Sequence, residues 1–183
     1  MPIPLLNLSD PESQRLAETL KLVIFDFDGV FTDNTVWVTE AGKESVRCCR
    51  SDGLGLSRLK ALNLPCWVLS TEKNPVVSAR CKKLGIPCIQ GQWDKTHALL
   101  QLVEKEGVTL DEVMFVGNDI NDIPCLTRVG FPVAVQDAYP EAVEAARYQT
   151  TRAGGFGAVR EVCDVIVRCK ASSGTLQPVM PVS

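Results

Sequence analysis

Short apolar runs alternate with stretches of helical periodicity over most of this chain, and that alternation limits the fold more than any other feature. Strands are expected at 22–27, 66–69, 87–90, 113–116 and 132–135, with a short one near 148–150. Helices are expected at 11–20, 53–62, 75–84, 95–106, 123–129, 139–146 and 158–168. Strands that are apolar along their whole length must be covered on both faces, so the pattern predicts an α/β fold with a mostly parallel central sheet between helical layers. One stretch departs from it. Two β-rich runs flank Glu40-Ala41-Gly42-Lys43, which predicts a hairpin within 35–50. Ligands of open parallel sheets bind beyond the carboxyl ends of the strands, so chemistry is sought there.

A chain of 183 residues suits one domain. Residues 1–20 are expected to form a leader, 21–171 the domain and 172–183 a loose tail. A formal charge of -3 gives no field for gripping nucleic acid or an anionic membrane surface. No apolar run approaches the roughly 20 residues that cross a bilayer, and the first residues lack the pattern of a secretory signal, so a cytoplasmic protein is expected. Its eight cysteines are then reduced and pack as small hydrophobes. With one histidine and no CxxC pair, a structural zinc site is not expected.

The first strand ends in Asp26-Phe27-Asp28-Gly29. Two carboxylates two residues apart at a strand exit can face the same crevice. One can attack phosphorus while the other protonates the leaving oxygen and later deprotonates water. Aspartate and glycine are also ordinary turn formers, so the pair alone is compatible with a simple strand-ending turn.

The whole string Asp26-Phe27-Asp28-Gly29-Val30-Phe31-Thr32-Asp33 resembles the first motif of the haloacid dehalogenase superfamily phosphatases, and the family's other motifs have counterparts in order. Ser70, with Thr71 beside it, follows Cys66-Trp67-Val68-Leu69 as the phosphate-binding hydroxyl does in that family. Lys95 in Gly91-Gln92-Trp93-Asp94-Lys95 resembles the lysine that neutralises phosphate. Gly117-Asn118-Asp119-Ile120-Asn121-Asp122 resembles the acidic metal motif, with Asn118 in place of its first acid. The resemblance implies a three-layer Rossmann-like fold, an Asp26 nucleophile and an Asp28 acid/base. It also implies Mg2+ held by Asp26, the Asp28 carbonyl and Asn118, with Asp119 as a substitute ligand and Asp122 orienting the site. An amide oxygen is a hard ligand without charge, so weaker metal binding is expected.

The gaps between motifs leave no room for an inserted cap domain, and only the hairpin flap intervenes. This is similar to the capless branch that includes 3-deoxy-manno-octulosonate 8-phosphate phosphatases, nonulosonate 9-phosphate phosphatases and the C-terminal domain of acylneuraminate cytidylyltransferases. The resemblance implies a homotetramer in which a neighbour helps to close each site. Glu72 stands where octulosonate enzymes carry arginine, and with Arg80 and Lys83 it resembles the nonulosonate enzymes. A sugar-acid phosphate of nonulosonate 9-phosphate type is therefore expected, with octulosonate 8-phosphate or a non-catalytic assembly role as the alternatives. Gly154-Gly155-Phe156-Gly157-Ala158-Val159-Arg160-Glu161 resembles a glycine-rich segment that lies close to the active site in this branch.

Overall fold

The computed structural model describes residues 1–172. Its main sheet is built from β1 (Ile3–Pro4), β2 (Leu22–Phe25), β5 (Cys66–Leu69), β6 (Cys88–Ile89), β7 (Val113–Gly117), β8 (Phe131–Ala134) and β9 (Tyr148–Gln149), in the order β1-β9-β8-β7-β2-β5-β6. Every pairing in it is parallel. Two further strands, β3 (Thr32–Val38) and β4 (Glu44–Cys48), form a separate antiparallel hairpin.

The helices are α1 (Asp10–Thr19), α2 (Asp52–Ala61), α3 (Val76–Leu84), α4 (Lys95–Glu106), α5 (Ile123–Leu126), α6 (Pro140–Ala145) and α7 (Ala158–Ser172). Successive residues of a strand point to opposite faces, and β2 divides its side chains accordingly. Val23 and Phe25 join a core with Leu16, Leu59, Val77 and Val162 from α1, α2, α3 and α7. Leu22 and Ile24 join a second core with Leu99, Leu126 and Ala142 from α4, α5 and α6. Central position between these two layers is why Leu22 to Phe25 is apolar at every place and wholly buried.

The first twenty residues are part of the domain instead of an appended leader. Ile3–Pro4 pairs with β9, Leu5 is fully buried, and α1 lays Leu16, Ala17 and Leu20 against α7. Sequence pattern alone hid this, because a two-residue edge strand carries no periodicity. The expected helix at 123–129 stops at Leu126, and the last helix continues to Ser172. The expectation of a loose tail otherwise falls on 173–183, outside the described residues.

Candidate active site

Register places the motifs together. Phe25 pairs with Val68 on one side and Val116 on the other, so Asp26, Ser70 and Asn118 all leave the sheet within two residues of one level. The Asp26 N–H still donates to the Val116 carbonyl at 2.9 Å, which fixes this carboxylate to the sheet's rim.

Lys95 is the first residue of α4, whose Asp94 cap accepts from the His97 N–H at 3.0 Å. A buried cation at the positive end of a helix is unfavourable unless anions face it. Two do. Lys95 Nζ lies 2.8 Å from Asp26 Oδ1 and 2.7 Å from Asp122 Oδ1. Burial by itself would lower the lysine's pKa, but these carboxylates reverse that and raise it. Burial and the charge of Asp122 push the Asp26 carboxyl up from its ordinary range against the pull of Lys95. Asp122 is fully buried and turns its other oxygen to the Asn118 and Asp119 N–H groups at 2.9 and 3.3 Å. These two bonds hold the start of the 118–122 loop. Gly117 makes room: a Cβ there would stand 2.6 Å from Asp122 Oδ2.

The cluster of Asp26, Asp122 and Lys95 carries one net negative charge in a sealed place, and the buried Asn118 Oδ1 has no hydrogen-bond partner. Asn118 Oδ1 and the Asp26 carboxylate are hard oxygen donors of the kind Mg2+ takes, so the residues present fit that ion. Gly29 keeps this corner open with φ +78°, since a Cβ there would come within 2.0 Å of Asn118 Nδ2. Asp119 is placed differently. Its Oδ1 accepts from the Ile120 N–H and caps the short turn at 120–122.

Asp28 is half-buried beyond Asp26. Burial and the charge of Glu72 push its carboxyl up to about 6, Lys95 pulling the other way and Glu44 adding to the rise. A carboxyl whose pKa is raised toward neutrality is suited to exchange a proton with a leaving oxygen. Ser70 is buried, and its Oγ accepts from the Glu72 N–H at 3.1 Å, leaving the hydroxyl hydrogen to donate. Thr71 stands next to it, half-buried.

Glu72 is brought to the rim of this centre, where its Oε1 accepts from the N–H groups of Lys73 and Asn74 at 2.6 Å. Arg80 and Lys83 are not brought to the centre. They line a cavity of about 640 Å³ with Cys48, Arg50 and Ser51, and Arg80 donates to the Cys49 carbonyl at 2.9 Å. Sequence reasoning passed over Glu44, which accepts from Asn74 Nδ2 at 3.0 Å. Its signal was available, because Glu44 alternates with Val46 and Cys48 on the half-buried face of a strand.

A family model of haloacid dehalogenase-like hydrolases matches residues 78–161. The 3-deoxy-D-manno-octulosonate 8-phosphate phosphatase KdsC of Salmonella typhimurium is 37% identical over 158 residues, covering 86% of this chain and 84% of that protein. Its counterpart in Escherichia coli K12 is 38% identical over 152 residues, 82% of this chain and 81% of the other. Among solved structures, a HAD family hydrolase from Streptomyces avermitilis superposes with TM-score 0.81 at 44% identity, over 88% of this chain and 91% of that one. The Moraxella catarrhalis 3-deoxy-D-manno-octulosonate 8-phosphate phosphatase, solved with magnesium, phosphate and KDO, superposes with TM-score 0.84 at 33% identity, over 90% and 95%.

Proposed function

Because the chain belongs to the haloacid dehalogenase-like hydrolases, we propose that it is a Mg2+-dependent phosphatase of sugar-acid phosphates working through an aspartyl phosphate on Asp26. The observation that carries this reading is the sealed Asp26–Lys95–Asp122 cluster, with the partnerless oxygen of Asn118 beside it. A protein serving assembly alone gains nothing from burying three charged groups, which is the reason to set the non-catalytic alternative aside.

An Asp26 carboxylate oxygen forms a bond to phosphorus as the bond to the sugar oxygen breaks. The electron pair goes to that oxygen, which takes the proton of Asp28. Water then attacks phosphorus and gives a proton to Asp28, the bond to Asp26 breaks, and the carboxylate is restored. Ser70 donates to a phosphoryl oxygen, and Lys95, ion-paired to Asp26, supplies positive charge beside the transferred group. Mg2+, held by Asp26, the Asp28 carbonyl and Asn118, would offset charge on the phosphate.

The sugar-acid class follows from the relatives, which are named for octulosonate 8-phosphate. Glu72 supports the nonulosonate 9-phosphate reading instead, since a carboxylate offers sugar hydroxyls an acceptor where the octulosonate enzymes carry a donor. Arg80 and Lys83 can serve a substrate if a neighbouring copy brings their cavity to the site, in keeping with a homotetramer. The hairpin leaves Val36, Trp37 and Val38 exposed at 54%, 72% and 61%, an apolar edge suited to such packing. Eight free cysteines are in keeping with a cytoplasmic setting, and among the described residues no helix is long and apolar enough to cross a membrane.

Phosphate release from octulosonate 8-phosphate and nonulosonate 9-phosphates, with and without Mg2+, tests the proposal. Turnover that requires the metal and disappears in Asp26→Asn supports it, and no turnover of either class overturns it. The ratio of the two kcat/KM values decides between the sugars. Sedimentation at micromolar concentration, expected to give a tetramer, tests the assembly.

A further inference from the structure

The hairpin strand β4 is tied down at two places, and each tie reaches a different part of the active site. Near its start, Glu44 accepts from Asn74 Nδ2 at 3.0 Å, on the loop that follows Ser70. Near its end, Arg47 Nε donates to Asp33 Oδ2 at 2.9 Å, and its guanidinium lies over the Phe156 ring at 4.0 Å from the centroid.

Asp33 lies at the start of β3, across the hairpin from Arg47, where that strand leaves the loop bearing Asp28, and Phe156 lies on the glycine loop that meets this segment backbone against backbone. Gly155 N–H donates to the Val30 carbonyl at 3.1 Å. A Cβ on Gly154 would stand 1.8 Å from the Gly29 carbonyl oxygen, and one on Gly155 would stand 2.4 Å from the Asp33 nitrogen. Within this segment, Thr32 Oγ1 accepts from the Gly29 N–H at 3.1 Å. Arg47 thus holds both halves of a contact that begins at the residue after Asp28.

A guanidinium can pair at its edge and stack on its face at once, whereas an ammonium offers one point charge. The Arg47 and Asp33 side chains are 46% and 18% exposed, so the ion pair contributes little to stability by itself. Its consequence is geometric. A displacement on the order of 1 Å in a catalytic group is enough to slow a reaction severely.

We propose that Arg47 is a positioning residue that clasps β4 and the glycine loop to the start of β3, which continues the loop bearing Asp28, an inference that rests on the phosphatase reading above. Residues 35–50 then form a fixed wall of the site and not a flap. The clasp acts on the placement of the Asp28 side chain for proton donation, so its loss should cost most where the leaving group needs a proton.

The experiment compares kcat/KM for a sugar-acid phosphate, which leaves as an alkoxide, with kcat/KM for p-nitrophenyl phosphate, whose leaving group needs none. This parameter covers the path up to leaving-group departure, before Asp28 acts on water. Arg47→Ala and Phe156→Ala are each expected to lose roughly tenfold or more on the sugar ester and less than about twofold on the aryl ester. Arg47→Lys should restore little, and the double variant should be no worse than Arg47→Ala alone. Equal losses on both esters, no loss on either, or losses that multiply in the double variant overturn the clasp. Failure of the wild type on every sugar-acid phosphate overturns the reading beneath it instead.

Discussion

Lys95 Nζ stands 2.8 Å from Asp26 Oδ1, with the two side chains 1% and 5% exposed. Removing the cation strands Asp26 and Asp122 as buried anions. Lys95→Met is therefore expected to abolish phosphate release and to destabilise the fold by about 3–5 kcal/mol. Urea unfolding followed by circular dichroism checks the second effect without any substrate.

Asn118 presents a buried oxygen with no partner next to a cluster of net negative charge. Asn118→Asp adds a second uncompensated anion there. The metal-free variant should unfold at lower urea than the wild type, and millimolar Mg2+ should close the gap. Half-maximal phosphate release should also need less Mg2+, because the ligand gains charge. Unchanged metal dependence would mean that Asn118 does not hold the ion.

Gly154 touches backbone, and backbone cannot step aside. Gly154→Ala would place a Cβ 1.8 Å from the Gly29 carbonyl oxygen, so either the fold loses about 3 kcal/mol or more, or the loop after Asp28 shifts. Both outcomes remove turnover of the sugar ester. Gly107→Ala serves as a comparison, since a Cβ there meets nothing and pays only for φ +66°.

Asp52 gives a pH dependence away from the catalytic centre. Its carboxyl is buried at the start of α2, where Oδ1 accepts from the Arg160 N–H at 3.2 Å and Oδ2 has no partner. Burial pushes its pKa up to about 6, with the Arg160 N–H and the charges of Arg80 and Arg160 pulling the other way. Cys48 and Cys163 face it from β4 and α7. A native pKa above the unfolded value means that the folded state binds the proton more tightly. This contribution is fully present below pH about 4 and is lost as pH rises through about 6. Asp52→Asn is expected to be on the order of 1–3 kcal/mol more stable than wild type at pH 7.5, with the difference vanishing near pH 4. Urea midpoints at the two pH values measure it.

Much of the centre was legible in the sequence because its residues lie at fixed offsets from strand ends. Asp26, Ser70 and Asn118 follow strands whose apolar runs are easily seen, and parallel register does the rest. Lys95 was legible only through its motif, for a lysine opening a helix is ordinarily solvated, and nothing in the local pattern says that this one is sealed between two acids. Glu44 and Arg47 lay in a stretch read as a hairpin, and their partners at positions 74, 33 and 156 are brought to them by the turn of the chain.

The order of strands and helices, the place of Asp26 at the first strand's exit and the hard-oxygen character of the Asp26 and Asn118 side chains were fixed by residue identity along the chain. Each depends on neighbours in sequence or on side-chain chemistry that travels with the residue. Tertiary structure alone decided that residues 1–20 complete the sheet and core, that Asp119 caps a turn, and that Arg80 and Lys83 open on another cavity. Those outcomes depend on which distant segments meet, and distance in space is not encoded in spacing along the chain.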